Sequence, residues 1–419
     1  MNKNKILGLC FILGILSISS MGLLVLIPST AESPTTSPSC TSTTLSGTTL
    51  VSSPPPGATS SPDDLTLMAV KGLDNGKSIL WTEWQNGINP DGTPSSTGAT
   101  QSTIAGYDLA TGTLVREIGV NGHVDGLTAD PHAGTLIATS NEDANSFLSL
   151  IYPVLGAVAT YAYNPNPEVS GNGGTDSIAI LHGQIYISHS NPNDVTQPTT
   201  YEVTLDQNTL TAKLAPVFYD NSQAASVNTG SIATMALTDP DTNYIMPHTS
   251  PMFAGDLATI SQGDGLIIFA SNLQNSPHLS VLSVTDNVKN NLQPIDGLAV
   301  ATSGSGTLYV VDSGANTIQA FSTSGCAAGT VFVSEPKDNS NPLVGTLNLA
   351  TGLITPFGNH FVSPKGLLFV PSGPDSDQSG SVQQGDSANN NYGHLSPPHE
   401  LVAVVHFFAT ANLSFYLCG

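Results

Sequence analysis

Five aspartates and one lysine recur at one register position along this 419-residue chain. Each stands just ahead of a short apolar run: Asp64 in DDLTLMAV, Asp125 in VDGLTADP, Asp176 in TDSIAILH, Asp256 in GDLATISQ, Asp296 in IDGLAVAT and Lys365 in PKGLLFVP. If the runs are strands set around a common axis, six like-placed side chains converge on one end of it. Carboxylates crowded in that way cannot all stay ionised unaided; they take up protons or recruit a cation. If a cation is recruited, an oxygen-only set of ligands favours a hard ion, Ca²⁺ before Mg²⁺. Asp64 and Lys365 complete the channel mouth, where the Lys365 ammonium competes with a metal for the carboxylates. His123, two residues before Asp125, is placed to reach the same mouth and act as a general base. The competing reading is structural: an Asp that opens a strand accepts backbone N–H bonds from the adjoining turn. A second series, Glu83, Asn141, Asn191, Asn272, Asp312 and Glu335, reads as turn chemistry after the second strands.

Placing six side chains alike requires repeated sheets. Second strands follow the first at residues 79–82, 135–139, 184–188, 265–270, 307–311 and 401–407. Outer hairpins recur as well: YDLATGTLVREI from Tyr107 and LNLATGLITPF from Leu347 are near copies, and VTLDQNTLTAKL from Val203 is a looser one. Asp or Asn shortly before Thr-Gly is hairpin-turn chemistry. Four short strands recurring at this spacing predict an all-β propeller. The register counts six blades, while TVFVSEP from Thr330 leaves seven open. The stretch 295–325 reads as a three-stranded meander. Residues 219–254 and 373–398 read as insertions, and residues 401–408 and 413–417 as strands that close the ring. Trp81 and Trp84 flank Glu83, and alternation predicts one buried and one exposed.

The N-terminal 31 residues belong to export. Lys3 and Lys5 precede an apolar run, and Ser29-Thr30-Ala31 suits signal peptidase. The run is also long enough to be an uncleaved anchor. Residues 32–62, rich in Ser, Thr and Pro, read as a disordered stalk, and residues 63–419 as the propeller domain. The expected location is extracellular or at the cell surface, with any membrane contact made through an uncleaved N-terminus. Nine Lys and Arg against 31 Asp and Glu exclude a nucleic-acid partner. Of the four cysteines, Cys40, Cys326 and Cys418 lie beyond the export segment. Cys418 would fasten the chain end to Cys326, or to Cys40 in the stalk, and the spacing does not choose between them. No GxSxG, HExxH or phosphate-binding loop is present.

The D-G-L openings at Asp125 and Asp296 and the run GTLYVVDSGANTI from Gly306 resemble the NHL-repeat and senescence-marker-protein (gluconolactonase)-like propellers. The resemblance implies metal ligands at the starts of the inner strands, which are the positions of Asp125, Asp176, Asp256 and Asp296. This sequence departs from the family pattern in having no Asn at those positions and a Lys in the sixth. Two functions are therefore carried forward. One is a secreted or surface-tethered binding or scaffold module for a small molecule, glycan or protein. The other is a Ca²⁺-dependent, lactonase-like hydrolase in which His123 or a ring Asp moves the proton.

Overall fold

The computed structural model describes residue 40 and residues 47–168, 173–190, 196–286, 292–337, 342–358 and 360–373. The export segment, Asn191, Cys418 and the strands expected at 401–408 and 413–417 lie outside the described residues. The described elements are strands, with two single-turn 3-10 helices. None of the described helices is long and apolar enough to cross a membrane.

Strand β1 (Gly47–Val51) comes first and is placed below. Blade one runs from axis to rim as β2 (Thr66–Ala69), β3 (Ser78–Trp84), β4 (Gln101–Asp108) and β5 (Leu114–Asn121). Blade two is β6 (Val124–Asp130), β7 (Thr135–Ser140), β8 (Phe147–Tyr152) and β9 (Ala157–Asn164); blade three is β10 (Gly174–Leu181), β11 (Gln184–Ser190), β12 (Pro198–Asp206) and β13 (Thr211–Tyr219). Their rims join where β13 runs parallel to β9. The insertion supplies β14 (Gln223–Ser226) and β15 (Ile232–Thr234), which extend the rim of blade four. That blade itself is β16 (Pro240–Ile245), β17 (Leu257–Ser261), β18 (Leu266–Ser271) and β19 (His278–Ser283). Its innermost strand is β16, which lies inside the supposed insertion. The strand beginning at Leu257 is the second.

The chain then crosses between blades. β20 (Thr285–Asp286) and β21 (Leu298–Val300) belong to blade five, but β22 (Gly306–Asp312) and β23 (Thr317–Ser322) belong to blade six. β24 (Val331–Glu335), β25 (Leu343–Asn348) and β26 (Leu353–Gly358) return to blade five, and β27 (Pro364–Pro371) is the innermost strand of blade six. The expected 295–325 meander therefore does not form: β21 pairs with β24, Leu298 opposite Val333, while β22 pairs with β27. The segment at Thr330 pairs with β21 and so belongs to blade five. The rim of blade six is β1, antiparallel to β23. Thus residues 47–51, assigned to the stalk by composition, are a strand, and the folded body begins before residue 63. Cys40 is disulfide-bonded to Cys326, 286 residues away, so the Cys326–Cys418 pairing is not the one formed.

The outer hairpins turn as their sequences require. The Asp108 carboxylate accepts the Ala110 and Thr111 amides, Asn348 those of Ala350 and Thr351, and Asp206 those of Asn208 and Thr209. Apolar side chains fill the spaces between blades. Trp81, Met68 and Leu136 pack blade one on blade two; Trp84, Leu65 and Tyr309 pack it on blade six. Both tryptophans are fully buried, because both faces of a propeller blade are covered.

Hydroxyls and glycines fix how closely the blades approach at the axis. Thr139 donates to the Asp176 carbonyl, Ser188 to that of Asp241 at 2.9 Å and Ser334 to that of Lys365 at 2.5 Å, each from one blade to the next. A Cβ on Gly126 would lie 2.4 Å from the Asp176 carbonyl oxygen, on Gly297 2.4 Å from that of Lys365, and on Gly366 2.4 Å from that of Asp63. The glycine after the first acid or lysine is thus the space into which the next blade's backbone fits, and the Gly366–Asp63 contact joins the sixth blade to the first. Every blade contributes to the lining of the partly open cavity at the axis, with Leu65, Leu127, Ile178, Tyr244, Leu298 and Leu367 among the residues that line it. Gly297→Val should therefore cost about 2–3 kcal/mol by overpacking. Urea unfolding checks this, and a midpoint equal to that of the parent would contradict the close approach.

Candidate metal centre at the channel mouth

The innermost strands all start at one end of the axis, where each second strand finishes. Asp63 and Asp64 precede β2, Asp125 opens β6, Asp176 opens β10, Asp239 and Asp241 flank the start of β16, Asp296 precedes β21 and Lys365 opens β27. The sequence placed Asp64, Asp125, Asp176, Asp296 and Lys365 at this end, and the structure brings them there. Asp256 is not among them. β17 runs antiparallel to β16 with Leu257 opposite Ile245, so Asp256 lies at the far end of its blade. Asp241 holds the mouth position in blade four.

The compact group is His123, Asp125 and Glu142, whose donor atoms all lie within 4.8 Å of one another. His123 was expected as a base; here it is a potential ligand. Its Nδ1 lies 2.8 Å from the Ile88 carbonyl, which fixes Nδ1–H as donor and turns Nε2 towards Asp125 Oδ1, 3.6 Å away. Asn141 clamps the backbone of His123 from both sides, accepting its N–H on Oδ1 at 2.9 Å and donating its own N–H to the His123 carbonyl at 2.7 Å. Glu142, just beyond, accepts the Ser190 hydroxyl on Oε2 at 3.1 Å. His123 and Glu142 therefore each have an outer partner that orients them, which is the usual support of a metal site. An imidazole with two carboxylates fits a divalent ion. Asp176 and Asp296 share the mouth but not this group.

The other side of the mouth carries its own cation. Lys365 Nζ lies 2.7 Å from Asp63 Oδ2 and 3.6 Å from Asp296 Oδ2. Gln262 donates to Asp296 Oδ2 at 3.0 Å. Glu83 accepts the Asp64 amide on Oε1, while its Oε2 is buried without a hydrogen-bond partner. Asp64 Oδ2 in turn accepts the Leu127 amide at 3.1 Å.

Crowding sets the protonation. Burial raises Asp64, Glu83, Glu142, Asp176 and Asp241 well above the usual carboxylate range, and neighbouring carboxylates add to the effect. Burial also raises Asp296, to about 7, although Lys365 works against it. Burial opposes charge on His123, but Asp125 outweighs it and lifts the imidazole to about 9. Burial would likewise raise Asp125, but His123 holds it at about 2. Between about pH 4 and 7 the folded metal-free chain thus binds more protons than the unfolded one, through Asp296 and its neighbours. Stability falls with pH wherever that holds. The His123 contribution is complete below about 6.5 and is lost as pH rises through about 9. Metal-free protein should therefore be most stable on the acid side of neutrality and lose stability steadily towards pH 9. Thermal unfolding across that range checks it; a flat profile would contradict the arrangement.

No known protein family matches the chain, and neither does any curated protein. Solved structures do. A streptogramin B lyase is 13% identical, with a TM-score of 0.40, covering 78% of this chain and 95% of that one. The periplasmic gluconolactonase PpgL of Pseudomonas aeruginosa is 12% identical, with a TM-score of 0.42 and coverage of 74% and 88%. Hydrazine synthase of Kuenenia stuttgartiensis is 11% identical, with a TM-score of 0.35 and coverage of 75% and 67%. The lyase and the gluconolactonase are β-propellers, the fold that the strand pairing here defines.

Proposed function

We propose that the channel mouth binds a divalent cation through His123, Asp125 and Glu142, and through it a small polar molecule of the lactone or ester kind. The observation that carries this reading is His123: its Nδ1 is committed to Ile88, and its Nε2 is presented to two carboxylates. The imidazole favours Zn²⁺ or Mn²⁺ over the Ca²⁺ expected of an oxygen-only set. When bound, such an ion polarises a carbonyl and acidifies water. The chain's own residues do the rest. Asp296, poised at about 7, is able to take up or return a proton near neutrality. Lys365, one quarter exposed, holds positive charge beside the mouth. The disulfide supports export, since such bonds persist outside the reducing cytoplasm.

The test is turnover of a lactone and ester panel by the Mn²⁺- or Zn²⁺-loaded protein, before and after chelation. Loss on chelation, and loss in Glu142→Gln, is the expected result. Reading the chain as a binding or scaffold module alone predicts no turnover in any state.

A further inference from the structure

Gln85 is absent from the acidic series that the sequence displays, yet it joins the two halves of the mouth. It follows β3, its backbone N–H donates to the Ser61 carbonyl at 2.9 Å, and the residue is 7% exposed. Its side-chain nitrogen Nε2 lies 2.8 Å from Asp63 Oδ2 and 2.8 Å from Asp125 Oδ1. An amide nitrogen has two hydrogens, so both are spent, one on each carboxylate. Asp63 is the carboxylate that holds Lys365, and Asp125 is the one beside His123 and Glu142. Among the described residues, Gln262, which follows the second strand of blade four as Gln85 follows that of blade one, makes a single bond of this kind, to Asp296.

We propose that Gln85 is the positioning residue of the metal centre: it fixes the orientation of Asp125 towards the ion and couples that carboxylate to the Lys365–Asp63 pair. The proposal rests on the metal reading above. A carboxylate free to rotate would lose its aim, and removing such an outer partner of a ligand weakens metal affinity about 10- to 100-fold. Gln85 touches neither the ion nor a substrate; it acts through Asp125.

The experiment is a Co²⁺ titration followed by visible absorption, on the full chain, its Gln85→Met variant and its Gln85→Asn variant. Met keeps the volume without the donors. Asn keeps the donors on a shorter stem that does not span both carboxylates, and it serves if the Met variant fails to fold. The expected result is Co²⁺ affinity lowered about 10- to 100-fold in both, with altered visible bands. In a double variant with Lys365→Met, the Gln85 effect should change, because the coupling partner is gone. A residue with a merely structural role would lower the melting temperature and leave affinity and spectrum alone, and that outcome overturns the proposal. If the parent protein binds no Co²⁺, the metal reading itself fails and this proposal with it; if the parent binds and the variants match it, only the role of Gln85 falls.

Discussion

Lys365→Met should lose about 3 kcal/mol of stability at pH 8, the order expected when one partner of a buried ion pair is removed. The ammonium is the direct counter-charge of Asp63 and Asp296, both nearly fully buried. Without it, neither carboxylate is able to remain ionised at low cost, and their affinity for protons rises further. The deficit should therefore shrink as pH is lowered towards 5, because Asp296, which burial raises to about 7, is then neutral in parent and variant alike. Combining the variant with Asp63→Asn should recover much of the loss at pH 8. Denaturant unfolding at the two pH values reads all three effects. A deficit independent of pH would mean that Lys365 acts by packing its stem and not by its charge.

Removing the disulfide, by Cys326→Ser, should cost about 2–5 kcal/mol. The bond closes a loop across 286 residues of sequence. It does so beside the one blade whose rim comes from the other end of the chain. β1 is a weak strand on its own: its first three residues are exposed, and its pairing to β23 contains a bulge. Only Val51 is deeply buried. The bond therefore holds β1 on β23, and without it the edge of β23 is open to other strands. The Cys326→Ser variant should show a lower melting temperature and faster proteolysis near residue 47. Equal proteolysis of parent and variant would show that strand pairing alone suffices.

Much of the fold was legible because the axis imposes strict local demands. D-G-L and K-G-L mark places where the next blade's carbonyl occupies the volume of a Cβ. Asx-type turns mark the outer hairpins. The crossing of β22 and β23 into blade six was not legible, because neighbouring strands in sequence usually pair and nothing in the turn at 303–305 signals otherwise. β1 was hidden by its composition: Gly47–Val51 lies in a Ser/Thr-rich stretch, and its partner is some 270 residues away. In blade four, GDLATISQ mimics an innermost strand, while the true one is framed by Pro240 and Pro247. That substitution moved the assignment from Asp241 to Asp256. Glu142 was missed for a related reason. It lies one residue past Asn141, whose turn role is genuine, and only the fold brings its carboxylate back to His123.

The most direct measurement is the metal content of the purified chain after loading with Mn²⁺ or Zn²⁺ and exhaustive dialysis, beside His123→Ala and Glu142→Gln. The account predicts one ion per chain in the parent and a near-complete loss in both variants. A parent that retains no ion, or variants that retain as much as the parent, would contradict it.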